Sequence, residues 1–249
     1  MSGDFQDHFS HLAATYASHR PHYPAALFTS LAALCPRHDL AWDCACGNGQ
    51  AAIGLAAHFS RVVATDASAA QIAAAAPHPR LTYGVAPAES SGLGPESVDL
   101  ITIAQALHWF DLPPFYLEAT RVLVPQGVIA AWTYGTPSLD DPRLNAALQH
   151  FERAVVGPYW PPERRHVESG YRDLPFPFSE VAPPACDMTA AWRLPDLLGY
   201  LRTWSATTRY MATVGTDPVA EFDRSIQTNW GAAVHTVRWP LHLRVGRKR

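Results

Sequence analysis

Leu40-Ala-Trp-Asp-Cys-Ala-Cys-Gly-Asn-Gly-Gln50 is a short apolar run that ends near an acid and passes through two glycines into an alanine-rich stretch. This is the pattern of a strand entering a helix through a tight loop. Gly47 and Gly49 let the backbone turn sharply and come close to a ligand. Asp43 stands at the end of the strand, just before the loop, and Asp66 ends the next β-rich run, residues 61–66. Ligands of open α/β sheets bind beyond the carboxyl ends of the strands, so Asp66 is placed to take the hydroxyls of a ribose lying there. Two glycines also occur in turns that bind nothing, so the loop alone leaves function open.

Outward from this loop, apolar runs and helical patterns alternate, as they do in a parallel sheet covered by helices. The pattern predicts a helix over residues 50–58, a second over 68–76 stopped by Pro77, strands over 81–85 and 98–104, a helix over 114–123 and a strand over 128–133. Right-handed crossovers make these strands parallel. After Trp132 proline and aromatic residues become dense, which predicts ordered, ring-packed loops between residues 136 and 195 that form a lid. Helices are expected over 141–155, 195–208 and 218–230, and a final strand over 237–245. The expected organisation is a single domain: an amino-terminal cover (1–30), a core (31–134), a cap with helices (135–234) and a last strand with a tail (235–249).

Composition narrows the function. The 249 residues are 48% hydrophobic, enough for a substantial core, and 19 basic against 22 acidic side chains give a formal charge of -3. No polybasic stretch or basic face is visible, which argues against nucleic-acid and anionic-membrane binding. The amino terminus lacks a cationic signal region, and no stretch reaches the ~18 apolar residues of a spanning helix. Four cysteines cannot staple a domain of this size. The expectation is a cytoplasmic protein in a reducing compartment. Cys44 and Cys46 lack a second pair at zinc-binding spacing, and no carboxylate cluster suggests magnesium, so no metal is expected.

The loop also bears on the ligand. A nicotinamide fingerprint needs a third glycine that is displaced here, and Asp43 would repel a pyrophosphate. An acid at that position suits a ligand carrying an amine and no phosphate, as S-adenosylmethionine does. Asp43-Cys-Ala-Cys-Gly-Asn-Gly49 resembles the acid-x-G-x-G-x-G loop of the class I S-adenosylmethionine-dependent methyltransferases (methyltransferase type 11), in a small-molecule branch similar to trans-aconitate methyltransferases. Ala45 replaces the first glycine. Asp66-Ala67-Ser68 resembles the ribose-binding acid and its neighbours, with Gln71 at a position that packs on adenine. Ala86-Pro-Ala-Glu89 resembles the segment after the third strand, with Pro87 where an acid is usual, so that Ala88 would serve through its backbone. Ala104-Gln-Ala-Leu-His-Trp-Phe-Asp111 is similar to the loop after the fourth strand, and Tyr16-Ala-Ser-His-Arg-Pro-His-Tyr-Pro24 to the cofactor cover.

The resemblance implies a Rossmann-like α/β fold: a seven-stranded mixed sheet with its last strand antiparallel, helices on both faces and a late-chain cap. It implies S-adenosylmethionine as cofactor, held by Tyr16, Arg20, Asp43, Ala45, Cys46, Gly47, Gly49, Asp66, Ala67, Gln71, Ala88, Glu89 and Gln105. Arg20 is expected on the methionine carboxylate, with Tyr16 closing over it. His108 is the candidate catalytic residue, a general base or only a lining group, with the lining role preferred. Candidates for the acceptor pocket are Trp109, Tyr159, Trp160, Arg164, Arg165, Tyr171, Trp204, Arg209 and Tyr210. Arginine forks recognise carboxylates and rings make apolar walls, so the preferred partner is a small-molecule acceptor with a carboxylate. Arg164-Arg165 also reads as a solvated charge run, and Trp204 as core. The alternatives are a sensor or partner subunit that binds the cofactor without catalysis and, third, a nicotinamide oxidoreductase. Oligomeric state is left open.

Overall fold

The computed structural model describes residues 20–249. Helix α1 (Ala25–Ala33) precedes β1 (Leu40–Cys44), and α2 (Gln50–Leu55), β2 (Arg61–Asp66), α3 (Ala69–Ala73) and β3 (Leu81–Val85) follow. Then come β4 (Val98–Ala104), α4 (Leu112–Val122) and β5 (Leu123–Tyr134). β1 is buried at all five positions and β4 at six of seven, the mark of central strands covered on both faces. β1 pairs in parallel with β2 and β4, β2 with β3, and β4 with β5. Trp42 is fully buried and donates through Nε1 to Thr65 Oγ1 at 2.9 Å, tying β1 to β2 through side chains as well as backbone.

The main sheet runs β3-β2-β1-β4-β5-β10-β7, with β10 (Leu241–Arg247) antiparallel to both β5 and β7 (Ser179–Val181). This is the expected seven-stranded mixed sheet. One apolar cluster, with Leu27, Leu31, Leu55 and Trp132, covers one face, and another, with Trp42, Ile101, Phe115 and Ile129, covers the other.

Several elements depart from the sequence reading, β7 among them, since it forms where ordered loops are expected. β5 begins five residues earlier than expected, and the register irregularity against β4 absorbs the turn through Gln126, whose φ is 64°. The expected helix over 195–208 is two, α7 (Leu194–Arg202) and α8 (Ser205–Val214), broken where the Thr203 hydroxyl takes the Tyr200 carbonyl at 2.6 Å and Trp204 turns extended. The helix expected over 141–155 is α5 (Pro142–His150) followed by a π turn, Phe151–Val155, and the short α6 (Arg164–Glu168) comes after it. The final strand is two strands split at Pro240, which has no N–H for a ladder. Its first half, β9 (His235–Trp239), joins β6 (Ser138–Leu139) and β8 (Met188–Trp192) in a second, three-stranded sheet. That sheet, with α5, α7, α8 and α9 (Pro218–Trp230), encloses a third apolar cluster and forms the cap.

The four cysteines are unpaired. Among the described residues no helix is long and apolar enough to cross a membrane.

Candidate active site

Three loops leave the carboxyl ends of β1, β2 and β4 side by side. In the first, Ala45, Gly47 and Gly49 all hold left-handed backbone, with φ of 55°, 55° and 87°. Gly49 is needed on two counts, because a Cβ there would also run into the Tyr83 ring. A Cβ on Gly47 would meet nothing closer than Gln71 Oε1 at 3.8 Å, so the loop keeps an open face at this point. Cys46 is buried and its amide donates to Thr65 O at 2.9 Å, anchoring the loop to β2.

Asp66 Oδ2 accepts from the Gly47 amide and Oδ1 from the Ser68 amide, each at 2.8 Å. The carboxylate therefore joins the two loops that the sequence placed around one ligand. Asp43 is fully buried; Oδ1 accepts from Thr102 Oγ1 at 2.8 Å, and Oδ2 has no hydrogen-bond partner among the described residues. Burial pushes its carboxyl up to about 7, against the Thr102 hydroxyl and the Ala52 amide, with Asp66 adding repulsion. A buried acid one donor short beneath an open glycine loop fits a cationic ligand. Gln71 is buried beside Gly47, Ala67 is exposed, Ala88 is buried, and Glu89 Oε1 accepts from the Asp111 amide at 3.2 Å. Tyr16 lies outside the described residues.

Next to these loops a cleft open to solvent lies between the strand ends and the cap. Of the expected residues, Arg20, Gln105, His108, Trp109, Trp160, Arg164 and Trp204 line it together. Arg20 donates from Nη1 to Tyr134 Oη at 3.0 Å and from Nη2 to Thr203 O at 3.3 Å, which bridges the end of β5 to the cap. Gln105 (φ 59°) accepts on Oε1 from Thr133 Oγ1 at 2.8 Å. The Arg164 guanidinium lies 4.3 Å from the centre of the Trp160 ring and donates to Thr136 Oγ1 at 3.0 Å. Glu152 and Glu168 flank it at 3.8 and 3.5 Å. Two donors here, Arg164 Nε and Trp160 Nε1, are buried without a hydrogen-bond partner among the described residues.

His108 Nδ1 lies 2.9 Å from the Tyr171 hydroxyl, and its ring packs on Trp109 with centroids 4.6 Å apart. Burial first, then His166 and Arg164 nearby, lower its pKa to about 3, so the ring is neutral at physiological pH. Tyr171 is a support behind His108 and does not line the cleft, because its side chain is fully buried.

The other expected acceptor residues are placed elsewhere. Arg165 points to solvent beside His166. Tyr159 and Tyr210 pack edge to face, centroids 5.0 Å apart, and neither they nor Arg209 line the cleft. Among the wall residues absent from the sequence reading are Tyr134, Thr136 and Tyr200. Tyr134 and Thr136 had a readable signal, their position just past a predicted strand. Tyr200 had none, since its helical spacing reads as core.

The chain resembles known proteins over most of its length. A protein of Anaeromyxobacter dehalogenans, provisionally assigned as a type II methyltransferase, is 47% identical, with a TM-score of 0.87 over 92% of this chain and 98% of that one. The chain belongs to the S-adenosylmethionine-dependent methyltransferases. A methyltransferase-domain family model matches residues 42–131, from within β1 to within β5, and so includes the glycine loop, Asp66 and His108. A Dictyostelium discoideum protein provisionally assigned as a methyltransferase is 29% identical over 98% of this chain and 96% of its own length. A Saccharomyces cerevisiae relative, assigned with less than full certainty as an S-adenosylmethionine-dependent methyltransferase, is 27% identical over 64% of this chain and 59% of its own. Membership makes S-adenosylmethionine the methyl donor of this methyltransferase.

Proposed function

We propose that this methyltransferase transfers the methyl group to a carboxylate oxygen of a small, partly apolar acid, as the resemblance to the trans-aconitate branch also suggests. The observation that carries the reading is the charge of the cleft: two guanidiniums, Arg20 and Arg164, face it, and none of its described lining residues is acidic. Two guanidiniums suit two carboxylates, the methionine end of the donor at Arg20 and the acceptor at Arg164. Trp160 Nε1, buried without a hydrogen-bond partner among the described residues, adds a donor beside Arg164, whose charge Glu152 and Glu168 meet only at 3.8 and 3.5 Å. Trp109, Trp160 and Trp204 supply walls for the apolar part of the acceptor.

The glycine loop, Asp43 and Asp66 hold the donor, with Gln71 and the Ala88 backbone toward the adenine. When bound, S-adenosylmethionine supplies a methyl group on a positively charged sulfur, which an ionised carboxylate oxygen takes without any proton transfer. The work left to the chain is to orient the acceptor and exclude water. A carboxylic acid, with a pKa of about 4, is ionised at neutral pH and needs no base.

The test is a panel of carboxylic acids, phenols and amines, with methylated products identified by mass spectrometry. Methyl esters are expected, and Arg164→Ala should raise KM for the acid at least ten-fold. Transfer to phenols or amines alone would overturn the reading.

A further inference from the structure

We propose that Tyr171 locks His108 in the tautomer with its proton on Nε2, so that the ring presents a fixed N–H donor to the acceptor carboxylate in the cleft that Arg164 lines, and takes no proton. The lock is a statement about two residues of this chain; the carboxylate as its target rests on the proposed function.

A buried hydroxyl must donate its hydrogen. The Tyr171 side chain is fully buried, and the acceptor in hydrogen-bonding geometry with its Oη is His108 Nδ1, at 2.9 Å. The Leu107 amide faces the phenol oxygen as a donor; the Thr133 hydroxyl, which gives its own hydrogen to Gln105 Oε1 at 2.8 Å, is near the phenol but outside the hydrogen-bonding geometry that His108 Nδ1 meets. The phenol hydrogen therefore goes to His108. A neutral imidazole has one N–H, and with Nδ1 accepting it sits on Nε2. Nε2 makes no hydrogen bond among the described residues, and the ring lines the cleft.

Backbone conformation points the same way. Gly170 and Tyr171 are consecutive left-handed residues, with φ of 62° and 63°. For an aromatic residue this is a strained state that persists only where its surroundings over-determine it, as they do at functional positions. Here the Tyr171 amide donates to His166 O at 2.8 Å, and Arg244 Nη1 donates to Tyr171 O at 2.8 Å. These two bonds hold the backbone from which the Tyr171 side chain reaches His108.

The charged and titratable groups around the ring are Arg164 and His166, both opposing its protonation, and Tyr171, whose phenol burial keeps neutral. The ring thus stays a donor through the pH range in which a carboxylic acid is ionised.

Ring-nitrogen NMR of the full, 15N-histidine-labelled chain, with the His108 signals assigned by their loss in His108→Gln, tests the lock directly. A protonated Nε2 and a bare Nδ1 are expected, and Tyr171→Phe should blur this into a tautomer mixture. A protonated Nδ1 overturns the proposal whatever the acceptor, and wild type alone decides it if Tyr171→Phe does not fold. Kinetics test the role. Glutamine carries an amide N–H in place of Nε2–H and cannot act as a base, so His108→Gln should lose several-fold less of kcat/KM for a carboxylic acid than His108→Leu does, with no new ionisation in its pH profile. His108→Leu should raise KM ten-fold or more with kcat nearly unchanged. Equal loss of kcat in both variants overturns the donor role. If acids are not methylated at all while Nε2 is protonated, the proposed function and the carboxylate target fall, and the lock stands.

Discussion

The carboxylate of Asp66 accepts the amide of Gly47 at 2.8 Å, so an acid at the end of the second strand holds the loop that follows the first. Asp66 thereby shapes the loop, in addition to the ribose contact proposed for it. Asp66→Asn keeps an acceptor for one of the two loop amides but loses the charge that strengthens both bonds. It should lower the melting temperature, equivalent to about 1–3 kcal/mol, and weaken S-adenosylmethionine binding at least ten-fold by calorimetry. Unchanged affinity would remove Asp66 from the donor site.

Asp43 gives a pH signature. Its carboxyl is raised to about 7, so the native state holds a proton that the unfolded chain releases near its ordinary value. Stability therefore falls as pH rises through the interval from about 4 to about 7, and Asp43→Asn should gain stability relative to wild type over that interval. A cationic donor beside this acid favours its ionised form. Binding at pH 6 should release a proton, seen as a dependence of the calorimetric heat on the ionisation enthalpy of the buffer. The dependence should vanish in Asp43→Asn at pH 6. A buffer-independent heat at pH 6 would contradict the placement of Asp43 under the ligand.

Ala45 sits with φ 55° where the family loop carries glycine. Left-handed backbone costs an alanine roughly 1–2 kcal/mol, partly offset by the greater freedom glycine has when unfolded. Ala45→Gly should therefore raise stability by about 1 kcal/mol or less, measured by urea unfolding, with donor affinity equal to or better than wild type. A clear loss of stability would mean that the methyl group packs usefully.

The legible part of the molecule was the part built from local rules. β1, β2, β3 and β4 fall where their apolar runs predict, because each is a short apolar run, β1 leading into a glycine loop, β2 closing on an acid and β3 stopped just before a proline. The cap was less legible. Nothing in the spacing of Leu197, Leu201 and Trp204 shows that Thr203 stops the helix by taking a carbonyl and swings Trp204 into the cleft wall. The alternation over 237–245 is real, but Pro240 divides it between two sheets, which only tertiary pairing decides. In the site, the glycine loop was readable from residue type and order. The Tyr171 support of His108 was not, since it joins residues 63 positions apart through a buried hydroxyl.

Arg164 serves both the cleft and the fold, because it stands 3.8 Å from Glu152, a carboxylate only 8% exposed. Arg164→Ala leaves that acid with Thr136 Oγ1 at 3.1 Å and the largely exposed Arg153 at 3.8 Å as partners, and should destabilise the protein by about 1–3 kcal/mol in chemical unfolding. Adding Glu152→Gln should restore most of the stability but not the KM for the acid. Recovery of both would make Arg164 a structural residue alone.

The most direct test of the whole account is a crystal structure of the full chain with S-adenosylhomocysteine and an acid that it methylates. The account predicts ribose hydroxyls on Asp66, the amino group above Asp43, and the sulfur facing a carboxylate held by Arg164. A nucleoside bound away from the loop between β1 and α2, or an acceptor carboxylate turned away from Arg164, would contradict it.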